Sequence, residues 1–199
     1  MARSSGRDMA SPGLGRESIT SLLQELNDEL GLRGAKADLF LVGGAALALV
    51  YDATRSTRDL DAVFLPTDVV RAAASALAER HGLSADWLND AVKGFLPGPD
   101  LAATRYFEAD HLTVDVASAE YLLAMKLFAA RVEADAEDIV FLYRTLGYTT
   151  VDEGLDLVQS VYRGRPIDAK VQFLLEEIVD ALQDGTDGTA HGGALPDLT

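Results

Sequence analysis

The chain of 199 residues contains no cysteine. That absence excludes disulfides, a thiol nucleophile and any cysteine-ligated zinc centre. No apolar run approaches the 18 or so residues that a bilayer-spanning helix needs, so a transmembrane reading fails. The first 30 residues also lack the apolar core of a secretory leader, and a cytoplasmic location is the expectation. Basic residues are scarce: 17 Lys and Arg stand against 32 Asp and Glu, a formal charge of −15. Such a balance repels polyanions at long range and argues against a general nucleic-acid coat. It leaves room for a local phosphate-binding cleft, because screening over about 10 Å in 0.1 M salt makes the near field decide.

What is present suits one globular domain or one with a small appendage. Apolar residues make up 48% of the chain, and a fold of this size buries roughly 70% of its unfolded surface without metal or disulfide staples. Residues 1–16 mix Ser, Gly, Arg and Pro without periodicity and residues 184–199 are rich in Gly, Asp and Thr, so both ends are expected to be mobile. Ile19, Leu22, Leu23, Leu26 and Leu30 carry the spacing of a buried helical stripe over 18–30, with Gly31 as a stop. A short strand at 39–42 is broken by Gly43-Gly44, and an Ala/Leu-rich helix follows to Tyr51. Residues 59–65 read as a strand, and Thr67 or Asp68 can cap a helix reaching His81.

Strands near 103–107 and 111–116 would pair as a hairpin across 108–110. After Ser118, a good N-cap, the pattern is wholly helical: 121–134, 136–146, 151–162 and 168–183. The expectation is therefore an α/β (α+β) fold with a mixed sheet and flanking helices over 17–117, followed by a helical subdomain over 118–183.

The chemistry concentrates in LFLVGGAALALVYDATRSTRDLDAVF, residues 39–64. Alternate side chains of a strand share a face, so Asp59 and Asp61 point one way and Leu60 the other. Two carboxylates about 7 Å apart along a strand repel unless a cation lies between them, and Mg²⁺ prefers carboxylate oxygens completed by substrate phosphates. In LTVDVA, Leu112, Val114 and Val116 would face the core while Thr113 and Asp115 face outward with the acidic pair. A third carboxylate supplies the remaining ligand of a two-cation centre. Gly43 and Gly44 let backbone N–H groups approach a triphosphate at a helix start. They form neither a P-loop nor a GxGxxG fingerprint.

Gly-Gly, a spacer, Asp-hydrophobic-Asp on a strand and a later strand Asp together resemble the DNA polymerase beta-like nucleotidyltransferase superfamily. Within it, the chain is most similar to the bacterial branch of AbiEii- and MenT-type toxins. The resemblance covers about residues 36–147 and includes YLLAMKLFAARVEADAEDIVFL, which matches that branch's helical signature at Lys126, Arg131, Asp135 and Asp138. It implies a nucleotidyltransferase fold in which Asp59 and Asp61 hold Mg²⁺, or Mn²⁺ in its place, and Asp115 joins as third ligand or as base. Gly43 and Gly44 would cradle the triphosphate of an NTP. Thr57 would meet phosphate or metal-bound water. In some toxins of this type a partner phosphorylates a hydroxyl there, adding about −1.5 to −2 charges. Lys126 would reach the β- and γ-phosphates, and Arg131 and Asp138 would orient nucleotide or acceptor. The implied reaction moves a nucleoside monophosphate from an NTP to a hydroxyl and releases pyrophosphate. Its implied acceptor is RNA, the 3′ end of tRNA first, with a cognate antitoxin as partner and no membrane role.

Each residue also has a plainer reading. Asp59 and Asp61 could be a solvated strand end, Asp115 an edge-strand charge, and the glycines a tight turn. Arg55 and Arg58 could be surface ion pairs, Lys126 could snorkel outward, and Asp135 could cap a helix. His81 and His111 receive no site, and Trp87, Phe95, Tyr106 and Phe107 read as core or cleft wall. The charge of −15 weighs against RNA unless Arg55, Arg58, Lys93, Arg105, Arg131 and Arg144 gather on one side. The competing functions are transfer to a small molecule such as an aminoglycoside, transfer to a protein hydroxyl, and a non-catalytic partner-binding module.

Overall fold

The structure, a computed structural model, describes residues 13–129 and 131–187. The chain divides into two compact units: one runs to Leu96 and takes in Leu101–Ala117, the other combines Pro97–Asp100 with the chain from Ser118 on.

The first unit opens with strand β1 (Leu14–Gly15), helix α1 (Arg16–Leu32), strand β2 (Ala37–Leu41) and helix α2 (Gly43–Ala46), which continues as a π-helical turn over Leu47–Tyr51. Strands β3 (Ser56–Thr57) and β4 (Leu60–Leu65), helix α3 (Thr67–His81) and strand β5 (Leu88–Asn89) follow. Strands β6 (Thr104–Glu108) and β7 (Leu112–Val116) complete it. Five of these strands form one mixed sheet in the order β5-β4-β2-β7-β6. The central strand β2 is antiparallel to β4 and parallel to β7, and β6 and β7 pair as the expected antiparallel hairpin.

Period-two patterning decides which face is buried. Leu39, Leu41, Leu60, Ala62, Phe64, Leu112, Val114 and Val116 lie in register and are all buried. Helix α1 packs on β7 and α3 on β4, and the two helices meet each other. They bring Ile19, Leu23, Leu26 and Leu30 and Val70, Ala73 and Leu77 into the core. Each fully buried leucine contributes roughly 1.5–3 kcal/mol. The opposite face carries Phe40, Asp61, Val63, Thr113 and Asp115, all half-buried.

Several local expectations need correction. Gly31 does not stop α1, which runs to Leu32 and is followed by Gly34 at φ +63°. A Cβ at Gly31 would lie 2.9 Å from the His111 ring, so the glycine admits close packing instead. Neither Thr67 nor Asp68 caps α3: Thr67 is its first residue, Pro66 holds the cap position, and the Thr67 hydroxyl donates to the Phe64 carbonyl at 3.3 Å. Leu14 and Gly15, within the stretch expected to be mobile, pair with Thr57 and Ser56. Arg16 opens α1 and residues 184–187 continue the last helix, both within the ends expected to be mobile, while residues 1–12 and 188–199 lie outside the described residues.

The second unit holds α4 (Ala119–Ala129), α5 (Val132–Leu146), α6 (Val151–Val161) and α7 (Ala169–Asp187). The Ser118 hydroxyl accepts from the Tyr121 N–H at 3.2 Å, as an N-cap does. Thr150 and Glu153 form a capping box at α6. The helix expected over 121–134 is instead divided, α4 ending at Ala129 and α5 beginning at Val132. Gly154 brings α6 against its neighbours, since a Cβ there would collide with the Tyr143 hydroxyl. No helix among the described residues is long and apolar enough to cross a membrane.

Candidate active site

Because β4 and β6 run against β2 and β7, the C-terminal ends of β2 and β7 share one end of the sheet with the starts of β4 and β6. Asp59 and Asp61 flank Leu60, which is fully buried, and both are half-buried themselves. The alternation of β4 aims Asp61 away from the core, and Asp59 lies in the bend just before the strand. Trp87 fixes this end of β4: the Leu60 N–H donates to the Trp87 carbonyl at 2.6 Å, and the indole N–H donates to Ala74 at 2.9 Å. The same pairing carries Asp86 toward Asp59. Burial pushes the Asp59 carboxyl above its ordinary range, and the charges of Asp61 and then Asp86 push it further.

Gly43 and Gly44 lie against this acidic pair. Gly43 turns the chain from β2 into α2 at φ +63°, and a Cβ there would lie 3.2 Å from Asp61 Oδ2. Only glycine takes that backbone without strain and leaves the carboxylate its space. A Cβ at Gly44 would lie 2.9 Å from Thr57 Oγ1. The Thr57 hydroxyl itself donates to the Asp59 carbonyl at 3.0 Å. Gly43, Gly44, Thr57, Asp59 and Asp61 are thus assembled in one place.

Asp115, on β7, lies two strands from Asp61 of β4 on the same face. It is in register with Phe40, while the Val42 N–H donates to the Asp61 carbonyl at 3.0 Å, so β2 separates the two carboxylates. Asp115 is held by Arg105 of β6, whose Nε lies 2.5 Å from Oδ1. Among the described residues no three His, Cys, Asp or Glu side chains gather closely enough to hold a metal ion. The donor chemistry and the mutual repulsion of Asp59 and Asp61 nevertheless fit two ligands of a hard divalent cation.

Lys126, Arg131 and Asp138 belong to the second unit. Lys126 is buried, with Nζ 2.8 Å from Asp135 Oδ1 and 2.7 Å from Asp138 Oδ2. Arg131 Nε lies 3.0 Å from Asp135 Oδ2. The capping role expected of Asp135 is not observed: Arg131 holds the cap position of α5 without a side-chain cap, and the Asp135 carboxylate goes to the two cations.

Two pairings escaped the sequence reading. Asp86 comes beside Asp59 only through the β4–β5 pairing, which two residues of β5 do not announce. Arg105 meets Asp115 through the hairpin register, and counting back from the expected turn at 108–110 could have found it.

The family model described as a nucleotidyltransferase of unknown function (DUF6036) matches residues 17–145, well over half of the chain. No curated protein and no solved structure matches it.

Proposed function

The chain belongs to this nucleotidyltransferase family, and from that premise we propose that it transfers a nucleoside monophosphate from an NTP to an acceptor hydroxyl, with release of pyrophosphate. The observation that carries the reading is the assembly of Gly43 and Gly44 against Asp61 and Thr57, beside a repelling Asp59–Asp61 pair. In this reading Asp59 and Asp61 hold Mg²⁺ or Mn²⁺, and Asp115 serves as third ligand or as base for the incoming hydroxyl. A divalent cation so held would activate that hydroxyl and brace the transferring phosphoryl group. The glycines admit the triphosphate to the backbone N–H groups at the start of α2, and Thr57 offers it a hydroxyl. Lys126, Arg131 and Asp138 enter as charges toward nucleotide or acceptor, in competition with the structural role that their mutual ion pairs support.

The finer assignment, by resemblance, is a toxin of the AbiEii and MenT type acting on tRNA 3′ ends under a cognate antitoxin. A second reading, transfer to a cationic small molecule or to a protein hydroxyl, has its own support. Of the six basic residues that could gather for RNA, Arg55 pairs with Asp52, Arg105 with Asp115 and Glu108, and Arg131 with Asp135. A formal charge of −15 adds to that.

The test incubates the protein with each α-labelled NTP, Mg²⁺ and either total RNA or total protein. Label appears on one acceptor class with the parent chain. It is absent with Asp59→Ala, whose far-UV circular dichroism stays that of the parent. Label with neither chain would favour a non-catalytic module, and equal labelling by both would remove Asp59 from the chemistry.

A further inference from the structure

Arg105 occupies a constructed position rather than a chance one. In the register of β6 and β7, Arg105 faces Asp115, Phe107 faces Val114 and Glu108 faces Thr113, so Tyr106 is an extra residue. Such a bulge shifts the parity of the strand and re-aims its side chains. Glu108 thereby returns to the face of Arg105 although it lies three positions along the strand. The bulged Tyr106 is fastened on the other side, its hydroxyl sharing a hydrogen bond of 2.8 Å with Thr20 of α1. The guanidinium then bridges two carboxylates, Asp115 at 2.5 Å and Glu108 at 2.8 Å.

We propose that Arg105 is the resident counter-ion of Asp115 and a positioning residue of the site, competing with a divalent cation for that one carboxylate. The inference rests on the reading of Asp115 as a metal ligand. Both partners are more than a third exposed, Arg105 at 47% and Asp115 at 38%, and an ion pair so exposed yields readily to a stronger competitor. Arg105 that leaves Asp115 keeps Glu108 as its tether and remains on the Asp115 face of the sheet. Its planar fork suits a phosphate as well as a carboxylate. The charge of Asp115 is thus balanced both before the cation arrives and after.

Mn²⁺ titration of the full chain, followed by electron paramagnetic resonance, tests the exchange. Arg105→Gln is expected to tighten Mn²⁺ binding by about 1.4- to fivefold, the factor an exposed ion pair carries. Arg105→Lys, which keeps the charge without the fork, is expected to lie between parent and Gln. Asp115→Asn weakens Mn²⁺ binding, and in its presence Arg105→Gln loses its effect. If Asp115→Asn weakens binding while Arg105→Gln leaves it unchanged or weaker, the exchange is overturned and the ligand role of Asp115 stands. If Asp115→Asn leaves binding unchanged, the ligand role itself fails and the exchange fails with it.

Discussion

Around Lys126 in the helical unit, two cations meet two carboxylates within 3.0 Å. At the end of the sheet, Asp59 faces the charges of Asp61 and Asp86, eased by a backbone hydrogen bond and by Arg58. Both groups are withdrawn from water to some degree, yet one is compensated inside its own fold and the other is left repelling. The difference sets charge matched inside its own unit against charge left unmatched there, which the proposed cation would meet. Repulsion between half-buried carboxylates opposes folding, and such strain is found where function requires it.

The largest effect that would sharpen this contrast is on the compensated side. Asp135→Ala should destabilise the chain by about 3 kcal/mol, at the low end for a broken buried pair because Asp138 still faces the lysine. Urea unfolding monitored on the helical signal measures it, and a loss below about 1 kcal/mol would return Lys126 and its partners to a functional reading. On the repelling side the sign reverses. The Asp59 pKa is raised in the folded chain. Its contribution therefore favours folding fully below the unfolded carboxyl value of about 4 and is lost as pH rises through the folded value. Asp59→Asn should accordingly raise Tm by about 2 °C at pH 7 without divalent cation. The gain should vanish near pH 3, where both chains are neutral at that position. Added Mg²⁺ should raise the Tm of the parent more than that of the variant.

Much of this was readable in the sequence because period-two patterning is strict where one face is buried. Leu112, Val114 and Val116 are buried and Asp115 is not, as the alternation of LTVDVA requires. Leu60 likewise turns inward between Asp59 and Asp61. What could not be read depended on pairing between distant segments. Nothing local in Ser56-Thr57 says that it pairs with Leu14-Gly15, and nothing in the run from Thr104 to Glu108 announces a bulge at Tyr106. Gly31 misled for the same reason. A stop signal and a close approach to His111 require the same residue, and only the tertiary contact distinguishes them.

Helix ends near charged residues were equally ambiguous. Asp135 suits an N-cap by type, but a buried ammonium within 2.8 Å is the stronger partner.

The central claim is that the Asp59–Asp61 pair and the glycine turn receive a divalent cation. Paramagnetic broadening of amide resonances by substoichiometric Mn²⁺ in the ¹⁵N-labelled full chain tests it most directly. The account predicts that Gly43, Gly44 and residues 59–61 broaden first and that Asp61→Asn abolishes the effect. Broadening confined to the acidic surface of α6 around Asp152, Glu153 and Asp156, and unaltered by Asp61→Asn, would contradict it.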